Sequence, residues 1–276
     1  MKILLIYPYC LEDRLHEEDA SVVPMGLYYV GAFLKANDYD VKILNWHNIN
    51  KMPNNIKEKF EKSKPDVIGL SILHANRWGG IEIARIAKQV DPKVKIVFGG
   101  IGATFLWEHF LTHFKEVDFV VIGEGEYAFL ELIKCINKGT YDDIGNIKGI
   151  AFRKKGEVIK TEDSKAIEDL DKLPIPAKYF EYQHVSSSRG CPHHCTFCGS
   201  SQFWGSKVRF HSPEYFVDQL ELLYKKGITF FYFSDDTFTM KKNRVIEICK
   251  QIIEKKLRIV WVAISRVDYV SEEILY

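Results

Sequence analysis

Neither sign of charge is in excess in this sequence: 38 Lys and Arg stand against 37 Asp and Glu, a formal net charge of +1 over 276 residues. A nucleic-acid binder ordinarily carries a clustered basic excess, so this balance argues against that class. No stretch approaches the roughly 20 consecutive apolar residues that a membrane helix needs. The opening stretch at 1–7 is apolar but too short for a signal-peptide core, and no small-residue cleavage site follows it. Cysteine is scarce, six in the whole chain, too sparse for a disulfide scaffold. No G-x-G-x-x-G follows the first β-like run, which argues against a nicotinamide dinucleotide site. Internal repeats and low-complexity segments are absent as well.

What is present is apolar and regularly spaced. At 46% hydrophobic residues the chain can bury a real core, and its length points to about two domains. The first ~140 residues alternate β-like runs (2–7, 41–45, 66–72, 95–98, 119–122) with helical patterns (24–37, 54–62, 80–90, 107–114, 126–136). In the first helix Leu27, Val30, Phe33 and Leu34 carry the helical spacing. This alternation predicts an α/β fold whose parallel sheet is covered on both faces, and uniformly apolar strands fit that burial. Residues 150–160 read as a hairpin turning at Lys155-Gly156. The following Asp169-Leu170-Asp171-Lys172-Leu173-Pro174-Ile175-Pro176 has two close prolines and reads as a linker. From His184 a second domain begins, with β-like runs at 184–188, 229–233 and 259–264 and helices at 213–225 and 243–254. Ser212-Pro213-Glu214 is a helix start, a serine cap with proline at the first helical position. The expected organisation is a first domain over 1–140, hairpin and linker over 141–183, and a second domain over 184–276.

Three of the six cysteines fall within eight residues, in Ser188-Arg189-Gly190-Cys191-Pro192-His193-His194-Cys195-Thr196-Phe197-Cys198-Gly199. Their C-x3-C-x2-C spacing reads as metal or redox chemistry in a reducing cytoplasm. A 4Fe–4S cluster is normally held by four thiolates, so three leave one iron open to a small molecule. The other metal reading is zinc, with His193 or His194 as fourth ligand, although no second ligand pair is present. A loop of this spacing, directly after a β-like run and a glycine, resembles the radical S-adenosylmethionine (SAM) family. The resemblance implies Cys191, Cys195 and Cys198 as cluster ligands and SAM chelated at the open iron. It further implies reductive cleavage of SAM to methionine and a 5′-deoxyadenosyl radical, fed by an electron donor such as flavodoxin or ferredoxin. Phe197 takes the aromatic position near the adenine.

Downstream segments extend the likeness. Val208-Arg209-Phe210-His211-Ser212-Pro213-Glu214 resembles the opening of the family's first barrel helix. Phe231-Tyr232-Phe233-Ser234-Asp235-Asp236-Thr237-Phe238 resembles its second strand, at whose end the family meets the methionyl ammonium. This implies Ser234, Asp235 and Asp236 as SAM contacts, since a carboxylate accepts from an ammonium; an aspartate pair also caps turns. Trp261-Val262-Ala263-Ile264-Ser265-Arg266-Val267-Asp268 resembles the third strand and implies Ser265 and Arg266 for the SAM ribose and carboxylate. All these residues fall at strand C-terminal ends, where βα-barrel sites gather.

In the first domain, Ser71-Ile72-Leu73 and Gly99-Gly100-Ile101-Gly102-Ala103-Thr104 resemble the Ser-x-Leu and Gly-Gly elements of cobalamin-binding domains. Gly123-Glu124-Gly125-Glu126 and Pro24-Met25-Gly26 extend the match. The likeness implies a flavodoxin-like or Rossmann-like doubly wound sheet. Cobalamin would be held by Ser71, Leu73, Gly99, Gly100, Gly102, Thr104, Gly123, Glu124 and Gly125. Small residues at strand ends let a bulky nucleotide tail pass between strand tips and helices. The Asp-x-His-x-x-Gly motif of such domains is missing, because the loop reads Tyr9-Cys10-Leu11-Glu12-Asp13-Arg14-Leu15-His16. His16 reads as a surface residue, and His47, His74, His109 and His113 as structural or exposed. Cys10, Cys135 and Cys249 read as ordinary packed thiols.

The family's barrel has about six βα units, whereas three strand-like runs follow His184, so a partial barrel broken off after about three strands is expected. The leading functional reading is an enzyme that uses the cluster to cleave SAM, with cobalamin-dependent C-methylation of an organic substrate first and ring-forming oxidation second. Competing readings are a non-catalytic corrinoid- or cluster-binding module and a zinc-stabilised interaction protein.

Overall fold

The first apolar runs become parallel strands, β1 (Lys2–Tyr7), β2 (Asp40–Asn45), β3 (Val67–Ser71), β4 (Lys95–Gly99) and β5 (Phe119–Val121). A computed structural model describes residues 1–11, 22–49 and 53–275. The chain divides into two compact units, Met1–Lys165 and Ala166–Tyr276.

Between the first strands run α1 (Met25–Lys35), α2 (Pro53–Ser63), α3 (Arg77–Val90), α4 (Ile101–Phe105), α5 (Trp107–His113) and α6 (Gly125–Lys138). Every residue of β3 is buried, as a central strand covered on both faces requires. Helix α1 packs with α6, and α2 with α3. The strand order is β2-β1-β3-β4-β5, the doubly wound arrangement expected. The sheet does not stay purely parallel. The hairpin β6 (Ile150–Lys154) and β7 (Glu157–Lys160) adds two antiparallel strands beyond β5, giving seven in all. Apolar Ile150, Ala151 and Phe152 drive this, since they are buried against β5.

The strand order reverses between β1 and β3, and ligands of such sheets sit beyond the strand ends at that point. Asn76, buried, stitches the two ends there: its amide donates to the carbonyls of Pro8 (3.4 Å) and Ser71 (3.2 Å), and its oxygen accepts from Leu73 N–H (2.8 Å).

The second unit contains β8 (His184–Val185), β9 (Ser188–Arg189), α7 (Ser200–Trp204), β10 (Arg209–Phe210), α8 (Pro213–Lys225), β11 (Phe230–Phe233), α9 (Lys242–Glu254), β12 (Val260–Ala263) and α10 (Glu272–Leu275). Ser212 caps α8 as expected, its hydroxyl accepting from Tyr215 N–H at 3.1 Å. Strands β12, β11 and β8 form a parallel sheet in that order. One face is closed by aromatic packing: Phe216 meets Phe233 edge-on at 5.0 Å, and Trp261 stacks on Phe233 at 4.7 Å. The other face leaves Tyr232, Val260 and Val262 exposed. The single run expected at 184–188 is split. Asp235 takes the Ser187 N–H, so the ladder breaks there and β9 pairs antiparallel with β10 instead.

Gly102 and Gly99 separate structural from spatial need. A Cβ on Gly102 would lie 2.8 Å from the Ile72 carbonyl oxygen, which belongs to the backbone and cannot give way, whereas one on Gly99 would meet only Val121 at 3.9 Å. Gly102→Ala is expected to cost about 1–3 kcal/mol of stability by overpacking, and Gly99→Ala little. Thermal melts of the two variants measure this, and equal melting temperatures would contradict it.

Candidate functional site

The cysteine loop hangs between β9 and α7. Gly190 opens it at φ +105°, and a Cβ there would meet the Lys207 carbonyl oxygen at 2.8 Å, so only glycine makes the turn into Cys191. Cys191 and Cys195 are half-buried and Cys198 is exposed; none is in a disulfide. The Cys198 N–H donates to the Cys195 carbonyl at 3.1 Å, a tight turn that holds these two thiols on one short arc. Arg266 Nη1 lies 4.0 Å from Cys195 Sγ and pairs with Asp268 at 2.9 Å. Phe197 projects outward, 91% exposed. His193 meets Tyr269 edge-on at 5.7 Å and has a buried Nε2 with no hydrogen-bond partner. His194 is exposed.

Beneath the loop is a polar knot that sequence reasoning missed. Ser187 is fully buried. Its N–H donates to both Asp235 oxygens (3.1 and 3.2 Å) and its hydroxyl to Oδ1 (3.0 Å), and the Ser188 hydroxyl donates to the same oxygen. Burial pushes the Asp235 carboxyl above its ordinary value, while these donors and nearby Arg244 pull it back. Asp235 is thus turned into the interior and occupied by serines, not presented to a ligand. Its neighbour Asp236 is exposed and accepts from the Ser200 hydroxyl at the start of α7. The only sequence signal for the knot was the run Ser186-Ser187-Ser188, which carries no spacing rule.

The remaining candidates in this unit are scattered more loosely. Ser234 is exposed and bonds His184 Nδ1 at 3.1 Å, and that imidazole stacks on Tyr232 at 4.4 Å. Ser265 is half-buried and shares a hydrogen bond with the Thr239 hydroxyl.

In the first unit the segments at 71–73, 99–104 and 123–126 converge at the strand C-terminal ends. Ile72 N–H donates to the Gly99 carbonyl (2.8 Å) and Gly102 N–H to the Ile72 carbonyl (2.9 Å). The Thr104 hydroxyl accepts from Gly123 N–H at 2.9 Å, which ties the end of β4 to the end of β5. Ser71 is buried, and Leu73, Glu124 and Gly125 are half-buried. Gly100 and Gly102 press against Ser71 and the residues just past β3, whereas Gly99 and Gly123 have nothing closer than 3.9 Å where a Cβ would stand. Gly99 and Gly123 therefore leave room beside the strand ends, the kind of cradle a bulky tail needs. After β1, Tyr9 is buried and its hydroxyl donates to Glu82 at 2.8 Å, and Cys10 is buried too. His16 lies outside the described residues.

Comparison with known proteins bears on both halves. Residues 18–133 match the model of the B12 binding domain, and residues 185–275 that of the Radical SAM superfamily. An uncharacterised methyltransferase of Pyrococcus horikoshii is 32% identical over 99% of this chain. The chain joins a B12-binding domain to a domain of the Radical SAM superfamily. The anaerobic magnesium-protoporphyrin IX monomethyl ester cyclase of Rubrivivax gelatinosus is 29% identical, again over 99%. The chain spans only 62% and 52% of these two relatives' lengths. Among solved structures, the cobalamin-dependent SAM radical enzyme OxsB, with aqua-cobalamin and SAM bound, superposes on 99% of this chain and 40% of its own. Its TM-score is 0.79 at 21% identity, a likeness of fold.

The donor set of the radical SAM domain fits a cluster. Its chemistry is three free thiols, Cys191, Cys195 and Cys198, on one eight-residue loop, the donor type that holds iron–sulfur clusters. Among the described residues no three His, Cys, Asp or Glu side chains stand gathered as ligands of one metal ion. No helix of the described residues is long and apolar enough to cross a membrane.

His211, buried beside the knot, sets a pH dependence. Its ring stacks on Tyr215 at 4.0 Å, and Nδ1 lies 3.0 Å from Asp171. An ionised carboxylate only accepts, so Nδ1 carries the proton of a neutral ring. Burial, with Arg189 and Arg244 nearby, pushes the His211 pKa down to about 4 against the pull of Asp171. Because the folded value lies below the unfolded 6.5, the unfolded chain binds a proton at pH 5 that the folded chain refuses. Stability is full above pH 6.5 and falls as pH drops toward 4, by about 2 kcal/mol between pH 7 and pH 5. Urea midpoints at the two pH values should show this drop in the wild type and a much smaller one in His211→Gln.

Proposed function

We propose that this chain is part of an enzyme that cleaves SAM reductively and uses the radical to alter an organic substrate, with cobalamin-dependent C-methylation first and a ring-forming oxidation second. The observation that carries this reading is the C-x3-C-x2-C loop on an obligatory glycine turn, in a chain whose other unit presents a glycine-lined strand edge. Cys191, Cys195 and Cys198 hold a 4Fe–4S cluster and leave one iron for the amino and carboxylate groups of SAM. When bound, the cluster supplies the electron that cleaves SAM, and cobalamin supplies the methyl group. The chain's own residues orient. Asp236, exposed beside Ser200, accepts from the methionyl ammonium. Arg266, next to the Cys195 sulfur, faces the carboxylate, and Ser265 faces the ribose. Asp235 is assigned a supporting role in place of direct SAM contact. Phe197 is free to close over the adenine. In the B12-binding domain Ser71, Leu73, Thr104, Glu124 and the glycines at 99, 100, 102, 123 and 125 line the nucleotide tail. The names of the relatives, a methyltransferase and a cyclase, support the two outcomes. The electron donor is a small carrier such as flavodoxin or ferredoxin, in a reducing compartment such as the cytoplasm.

Anaerobic reconstitution with iron and sulfide, followed by absorbance and electron paramagnetic resonance (EPR) spectra, tests the reading. The expected result is a reducible 4Fe–4S signal that shifts on adding SAM and is lost in Cys198→Ala. A colourless protein retaining zinc would overturn it. A cluster indifferent to SAM would favour a non-catalytic module.

A further inference from the structure

We infer that Arg244 is a positioning residue that sets where the cysteine loop begins relative to the strand end bearing Asp236. The consequence for SAM rests on the function proposed above; the geometry does not.

Arg244 lies on α9, far in sequence from the cysteines, and its guanidinium is spent on two backbone segments. Nη1 donates to the Ser187 hydroxyl at 3.0 Å and Nη2 to the Ser187 carbonyl at 3.0 Å. Nε and Nη2 both reach the His211 carbonyl, at 3.1 and 2.9 Å. The Ser187 hydroxyl, accepting from Arg244, donates onward to Asp235, and the Ser187 carbonyl accepts from His211 N–H at 2.9 Å as well. Every polar group of this buried serine is therefore held, on one side by Arg244 and on the other by Asp235. From that point the chain reaches Cys191 through β9, and the residue after Asp235 is Asp236. One knot thus registers the first cluster ligand against the carboxylate assigned to the ammonium. The job needs a planar fork with several donors, which lysine does not offer.

Arg244→Gln and Arg244→Lys test it, with Tyr182→Phe as a control that removes a buried hydrogen bond to Gln219 (2.8 Å) in the same unit, between residues that are not part of the knot. In cluster-free chain, alkylation by iodoacetamide is followed cysteine by cysteine with mass spectrometry. Arg244→Gln should speed Cys191 roughly threefold or more and leave the already exposed Cys198 unchanged, with Arg244→Lys in between and Tyr182→Phe at wild-type rates. In the reconstituted protein Arg244→Gln should load iron normally yet need roughly tenfold more SAM to shift the EPR signal, since small misplacements weaken chelation steeply. An unchanged Cys191 rate, or faster alkylation of all three loop cysteines in Arg244→Gln and Tyr182→Phe alike, would overturn the inference. The alkylation result decides it even if the wild-type cluster ignores SAM, which would count against the proposed function alone.

Discussion

A carboxylate taken out of water must be met by donors, and much of the second unit is arranged to meet one. Asp235 draws in the Ser187 amide and the hydroxyls of Ser187 and Ser188, and with them the backbone that would otherwise have continued a strand. The break in the ladder at Ser187 is what frees β9 to turn away, pair with β10 and deliver Gly190 and the cysteines to the strand C-terminal end. Arg244 and His211 close the same knot from α9 and from the start of α8. The loop that carries the metal chemistry is irregular, but it grows out of a rigid, fully satisfied base, as a precise site requires.

The first unit solves a different problem with the same economy. Its strand ends at β3, β4 and β5 are tied by backbone bonds and by the side chains of Asn76 and Thr104. Glycine can then be used for two separate purposes there. At Gly102 it lets α4 approach the backbone just past β3, and at Gly123 it meets a backbone φ of +74°.

Much of this was legible from residue pattern. The five parallel strands, the helices between them except the short α4, the hairpin and the Ser212 cap follow from periodicity and turn chemistry, because each is decided by neighbours close in sequence. The cysteine spacing was equally local. What escaped was whatever depends on contacts far apart in the chain. Nothing in Ser-Asp-Asp says which aspartate points inward; that is settled by serines 47 and 48 residues away. The split of the 184–188 run has the same origin. The hairpin at 150–160 is legible from its turn, but its antiparallel docking on β5, which buries Ile150, Ala151 and Phe152, is a contact between strands about 30 residues apart.

Among the described residues the two sheets differ in their outer strands. The outer strands of the seven-stranded sheet carry charge, Asp40 and Lys42 on β2, Glu157 and Lys160 on β7. The outer strand β12 has none; Val260 and Val262 stand exposed along it, with Ile264 just beyond. Among the described residues β12 is paired on one side only, by β11, and its apolar side chains suit it to receive a further extended segment, where the charged outer strands β2 and β7 turn one away.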